Sequence, residues 1–290
     1  MSYWKDRAVR RKDLLNKKTQ KEIDTQLIKY YEQVMRKLIK EFEAVYDKLM
    51  TTKEENLTPA DLYKMDRYWQ MVAQVKKELN KLGDQEIVLL ADAFEQHWHK
   101  SYENAEKDML TFFNKRAKKN KDLKELEWPP NPSFATISDT AVQQMINEVW
   151  CADGKTWSDR VWSNVNELAV MLNDELIHCA VTGKKTTELK KQLIERFNVS
   201  FSKADRVVRT ELANIQIEAS AKRYKDAGLD KYEILGREEG SCKPSKKSKG
   251  VDCHEMHGKT FLYSEMKKGV NAPPFHPNCR CDIIPVIDDY

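Results

Sequence analysis

The sequence predicts a mainly α fold: long N-terminal amphipathic helices, then a helical region, then a small α+β C-terminal module. Three observations predict it. Residues 1–128 hold one glycine, Gly83, and one proline, Pro59, so almost nothing there interrupts a backbone hydrogen-bond ladder. Apolar residues recur at three- and four-residue steps with charged residues between them, which is how a helix presents one buried stripe. After Gly228 the texture changes to short β-rich runs between turns, and four of the six cysteines and three of the six histidines lie there.

The first helix is read from Ile23, Leu27, Tyr30, Val34, Leu38, Phe42, Val45 and Leu49. Thr58, Pro59 and Asp61 supply a hydroxyl cap, a first-turn proline and an acid for the next start. That helix carries Leu62, Met65, Trp69, Val72, Leu79 and Leu82, with Gly83 as its expected stop and Asp84 as a new cap. Ile87, Leu90, Phe94, Trp98, Ala105, Met109 and Phe112 continue the pattern. Trp128-Pro129-Pro130-Asn131-Pro132 lacks three amide donors and marks an elbow. Ser138 caps a short helix expected through Trp150, and Asp153-Gly154 turns the chain into one carrying Trp157, Val161, Val165, Leu168, Leu172, Leu176 and Cys179, ended by Gly183. Leu189, Leu193 and Phe197 predict another short helix; Ser202 and Asp205 are expected to open a last long one, C-capped at Gly228. Strands are expected at Tyr232–Leu235, Lys259–Tyr263 and Cys281–Val286. Composition thus divides the chain into a helical arm or bundle at 1–128, a Pro-rich linker at 129–138, and 139–290, comprising helices at 139–228 and a β-containing Cys/His module at 229–290.

With 290 residues, 40% hydrophobic and 33% charged, the chain can bury a proper core, and its formal net charge of +4 argues against a grossly basic binder. No run approaches the roughly 20 apolar residues of a membrane span, and Met1–Asp24 lacks a secretory signal, so a soluble protein made in a reducing cytoplasm is expected. Free or metal-bound thiols are then favoured over disulfides. Cys242, Cys253, His276, Cys279 and Cys281 are candidate ligands of a structural zinc, the one cofactor the pattern implies. Two alternatives stay open: reduced thiols packed as small hydrophobes, and a disulfide. Cys151 and Cys179 fall in helical pattern and are expected in the core. His254 and His257 are three apart and followed by Gly258, which does not suit the helical zincin motif. No nucleophile elbow, phosphate loop or carboxylate pair frames a catalytic site, and no catalytic residue is assigned.

Basic residues cluster at Lys5, Arg7, Arg10, Arg11, Lys12, Lys17 and Lys18, at 115–121 with Lys118 and Lys119, and at 243–249 with Lys246 and Lys247. They are candidates for contact with double-stranded DNA without sequence specificity, or else solvated faces.

Arg206-Val207-Val208-Arg209-Thr210-Glu211, a helix ending at Gly228, Gly258-Lys259-Thr260-Phe261 and Pro273-Pro274-Phe275-His276-Pro277-Asn278-Cys279-Arg280-Cys281 follow one another in this order. Over residues 155–286 the chain thereby resembles the phage Mu F-like head morphogenesis family, the minor head or minor capsid proteins of tailed phages. The family often has a compact Cys-x-x-Cys ahead of its Gly-x-x-Phe element; here Cys242 and Cys253 are split by an insertion. The resemblance marks Arg206, Arg209, Thr210, Glu211, Gly258, Phe261, Pro274, Pro277, Asn278 and Arg280 as motif residues, with pairing expected among Arg209, Glu211 and Arg280 and with His276 orienting a thiol. It implies a virion protein inside the head near the portal, assembled in the host cytoplasm, with portal, major capsid or scaffolding protein as partner and a part in head assembly, DNA packaging or ejection. A zinc-stabilised DNA-binding protein is the alternative, and a thiol- or metal-dependent hydrolase a more remote one.

Overall fold

Helix α1 spans Val9–Thr51, and the reason is visible in its side chains. In this computed structural model, which describes residues 9–51, 58–119, 137–151, 153–236 and 251–287, Ile23, Leu27, Tyr31, Val34, Leu38, Phe42 and Tyr46 form its buried line. The expected stripe is thus correct in period; Tyr31 and Tyr46 take the inward places expected of Tyr30 and Val45. The Tyr46 hydroxyl reaches the carbonyls of Cys179 and Lys184 at 2.8 and 2.5 Å, where α5 runs out of intrahelical donors, and burial pushes its pKa up to about 12.

Thr58 caps α2 (Pro59–Tyr63) with a full capping box to Asp61, as expected. The helix stops there, and α3 (Asp66–Lys119) begins afresh. Tyr68, Met71 and Val75 face inward, while Trp69 is 52% exposed. Gly83 does not end a helix: α3 runs straight through it for 54 residues. A Cβ at Gly83 would lie 2.6 Å from Trp162 Cζ3, so the glycine makes room for an indole rather than for a left-handed turn.

Ser138 caps α4 (Asp139–Ile146), its Oγ accepting from Ala141 N at 3.3 Å. This helix ends short of Trp150, and Cys151 sits half-buried in a bend rather than in a helical core. Helix α5 (Trp157–Val181) ends before Gly183, whose φ of 65° is the left-handed stop the sequence predicts. The two helices expected between Leu189 and Gly228 are one, α6 (Thr186–Asp226). No glycine or proline interrupts this stretch, and Ser202 Oγ donates back to the Asn198 carbonyl at 2.9 Å instead of capping a new start. At Gly228 a Schellman arrangement closes α6: Leu229 N donates to Tyr224 O and Gly228 N to Lys225 O.

Strands β1 (Lys231–Leu235), β2 (Thr260–Leu262) and β3 (Asp282–Pro285) form an antiparallel sheet in the order β2-β1-β3. Tyr232 pairs with Phe261 on one neighbour and Pro285 on the other. The fold is mainly α with a small C-terminal sheet, as predicted. No helix among the described residues is long and apolar enough to cross a membrane.

The chain packs as two compact units that are interleaved in sequence. One draws on Met1–Lys21, Ala91–Trp157 and Arg206–Tyr290; the other on Glu22–Leu90 and Ser158–Asp205. The first holds a core of Ala105, Met109, Tyr224, Ile234, Phe275 and Ile283 with their neighbours; the second is filled by residues such as Leu38, Phe42, Leu79, Leu168 and Leu193. Each unit thereby combines segments that are distant in the sequence. Residues 129–136 of the Pro-rich stretch lie outside the described residues.

Candidate functional site

Thr210, on α6, joins two segments far apart in sequence. Its hydroxyl donates to Arg206 O at 2.8 Å and accepts from the backbone N–H of Asn278 at 3.2 Å. Asn278 holds φ 60°, and Cys279 N donates to His276 O at 3.0 Å, so residues 276–279 form a tight turn. One residue on, Glu211 is buried at 2% exposure and accepts from Trp150 Nε1 at 3.0 Å and Asn214 Nδ2 at 3.4 Å. Arg206, Arg209 and Arg280 are exposed. Gly258, at φ 78°, donates its N–H to Ile234 O at 2.8 Å and brings the chain into β2, where Phe261 is half-buried; Pro274 is buried and Pro277 exposed.

A buried carboxylate follows. Asp282 Oδ1 accepts from Lys12 Nζ at 3.0 Å, with the two side chains 7% and 4% exposed, and Oδ2 accepts from Gln216 Nε2 at 3.3 Å. Lys12 also donates to Ile283 O at 3.2 Å. Its neighbour Arg11, a DNA-contact candidate, instead pairs at 2.8 Å with Asp108, whose side chain is wholly buried. Part of the N-terminal basic cluster is therefore internal. Arg10, Lys17 and Lys18 remain exposed, while Arg7, Lys246 and Lys247 lie outside the described residues and Lys118 and Lys119 are placed only as the end of α3. Arg223, fully buried on α6, lies 3.4 Å from Glu106 and 5.6 Å from the centre of the Tyr102 ring.

Sequence reasoning missed Lys12, Asp282 and Arg223 as internal groups. Lys12 carried a signal: it and Thr19 extend the Ile23-Leu27 stripe toward the N-terminus at helical steps, and both are buried. Thr19 Oγ1 meets His97 Nδ1 at 3.1 Å, and burial, helped by Lys100, pulls the His97 pKa down to about 3.

The cysteines and histidines are only partly brought together. Cys253 Sγ and His276 Nε2 lie 3.5 Å apart, both residues buried. His276 Nδ1 is 2.9 Å from Pro277 O; a carbonyl only accepts, so Nδ1 carries the proton and Nε2 offers its lone pair to sulfur. Cys279 and Cys281 are each 4% exposed within the same apolar cluster. Among the described residues, ligand atoms gather within 4.8 Å of one another at Asp252-Cys253-His254 and at Glu95, His99 and Asp139. Cys242 lies outside the described residues.

A fold of long helices closed by a three-stranded sheet, with both motifs meeting at one hydrogen bond, defines a packed structural module. Residues 171–284 match the model of the family described as Phage Mu protein F like protein. Over that stretch, less than half of its length, the chain is similar to a family of structural phage proteins of head morphogenesis. No curated protein and no solved structure gives a significant match.

Proposed function

We propose that the protein is a minor head protein of a tailed bacteriophage, built in few copies into the procapsid beside the portal, where it takes part in head assembly. The Thr210–Asn278 hydrogen bond is the observation that carries this reading, because it locks together the two sequence elements by which the family resemblance is drawn. The groups clustered around that junction are engaged with one another as internal packing partners, which suits a structural rather than a catalytic role. Portal, major capsid or scaffolding protein is the partner class. Exposed Arg10, Lys17 and Lys18 on α1 support an additional contact with DNA that is blind to sequence and serves packaging or ejection.

Procapsids assembled with an epitope-labelled protein test the assignment. The protein should copurify with particles, and label should sit at a single vertex. Absence from particles, or label spread over all vertices, would overturn it. Replacing Arg10, Lys17 and Lys18 together by Gln should flatten the salt dependence of DNA binding; an unchanged slope removes the DNA contact.

A further inference from the structure

Tyr63 and Trp69 are the two exposed aromatic residues among those described, at 47% and 52% exposure. Helical periodicity expects Trp69 inward, yet Tyr68 takes the buried place beside it. Three contacts hold the exposed pair. Trp69 Nε1 donates to the Tyr63 carbonyl at 2.9 Å, across the break between α2 and α3. The two rings stack, with centres 6.0 Å apart and planes at 28°. Tyr68 meets both edge-on, at 5.5 and 5.1 Å, and its own hydroxyl donates to Asn173 Oδ1 on α5 at 2.8 Å. Two large rings are thus presented to solvent in a fixed arrangement, which removes much of the ordering cost that binding otherwise carries. Tyrosine, tryptophan and arginine are also the residue types that most often anchor protein interfaces.

Charge beside the rings says what they fit. Lys64, Asp66 and Arg67 lie between them in sequence and are all exposed, and no side-chain hydrogen bond or ion pair engages any of the three among the described residues. Two unmatched cations against one carboxylate leave a net positive rim, which carboxylates of a partner complement. Nucleic acid fits less well: the bases of a duplex are stacked and paired out of reach of the rings, and Asp66 sets a like charge against a phosphate chain. We propose that Tyr63 and Trp69 form a docking anchor for an acidic segment of another head protein, an apolar side chain of that segment packing on the ring pair and its carboxylates meeting Lys64 and Arg67. This inference rests on the assembly role proposed above and supplies its contact.

The test counts copies of the epitope-labelled full-length protein, wild type or variant, in DNA-free procapsids. Trp69→Ala should lower incorporation at least about tenfold. Lys64→Glu combined with Arg67→Glu should lower it to a similar degree, and Lys64→Arg combined with Arg67→Lys should leave it near wild type. Thermal melting checks that each variant is folded; should Trp69→Ala fail that check, the charge reversal, made at two exposed and unpaired positions, carries the test. Absence of the wild type from procapsids removes the assembly role and this contact with it. Wild type present, with folded variants incorporated equally, removes the contact alone. Charge-reversed protein incorporated like the wild type overturns the acidic partner. Loss of wild-type incorporation on adding nuclease during assembly means that the rings meet nucleic acid, and the proposal fails.

Discussion

A lysine ammonium at 3% exposure persists only where its charge is met, and Lys12 is met by Asp282 and the Ile283 carbonyl. Removing one member of a buried pair strands the other, at a cost of about 3–5 kcal/mol. Lys12→Ala and Asp282→Asn should each lower unfolding stability in denaturant by at least about 2 kcal/mol, and the double variant by clearly less than their sum; additive losses would mean the two groups do not interact. Glu86 poses a different problem. It sits in a buried polar chain in which the Tyr31 hydroxyl donates to Glu86 Oε2 at 3.3 Å, Asn164 Nδ2 donates to that hydroxyl oxygen at 3.2 Å and to the Ser200 carbonyl at 3.0 Å, and Ser200 Oγ donates to Asn164 Oδ1 at 3.2 Å. Burial pushes the Glu86 pKa up to about 7 from 4.5, against the opposing pull of the Tyr31 hydroxyl. The folded state therefore holds this proton more tightly than the unfolded chain. Its contribution is fully present below pH 4.5 and is lost as pH rises through about 7. His97 runs the other way: with a folded pKa of about 3 against 6.5, its contribution is present above pH 6.5 and lost as pH falls toward 3. Glu86→Gln should remove the first window alone, changing the stability difference from wild type by about 3 kcal/mol between pH 4.5 and pH 8. Parallel stability profiles for the two proteins would show that Glu86 does not titrate as an isolated buried acid.

At the scale of elements, Gly83 decides how α3 packs. Alanine is worth about 1 kcal/mol over glycine in a helix interior, but here its methyl would meet the Trp162 ring at 2.6 Å. Overpacking costs about 1–3 kcal/mol, so Gly83→Ala should destabilise despite its better propensity, and adding Trp162→Leu should recover part of the loss. If Gly83→Ala raises the melting temperature, the indole has room to move and the close approach is not what selects glycine. The same position shows where sequence stops being informative. Apolar periodicity located α1, α5 and the buried faces of α3 and α6, because a stripe is a property of neighbours three and four apart. Thr58, Ser138, Gly183 and Gly228 were readable because capping is local chemistry. Whether Gly83 ends a helix depends on a tryptophan on α5, and whether Ser202 opens one depends on the absence of any reason for α6 to stop. The site behaves likewise. The motif residues Thr210 and Asn278 could be picked out by resemblance, but their mutual bond, and the choice of Cys253 as the thiol beside His276, are tertiary facts. Trp150 illustrates both halves: the helix expected to reach it ends earlier than the pattern suggests, and its indole N–H donates to buried Glu211.

For the whole molecule, the family match at 171–284 marks less than what folds together. The unit containing the sheet also draws on Met1–Lys21 and Ala91–Trp157, and those segments supply partners to the matched domain's buried polar groups. Lys12 answers Asp282, Glu106 answers Arg223, and Trp150 answers Glu211. Apolar surface follows the same division, since Ala105 and Met109 of α3 belong to the cluster that holds Tyr224, Ile234 and Ile283. A fragment beginning at residue 171 would expose that apolar face and strip three buried groups of those partners, each at a cost of about 1–5 kcal/mol, against a total stability on the order of 5–15 kcal/mol for a typical domain. Residues 171–290 expressed alone should therefore show no cooperative thermal transition and poorly dispersed amide resonances, and addition of a separate 1–170 chain should restore both. A fragment that melts cooperatively by itself would show that the N-terminal helices are appended to an autonomous domain, and that the Lys12–Asp282 and Glu106–Arg223 pairs secure them rather than complete it.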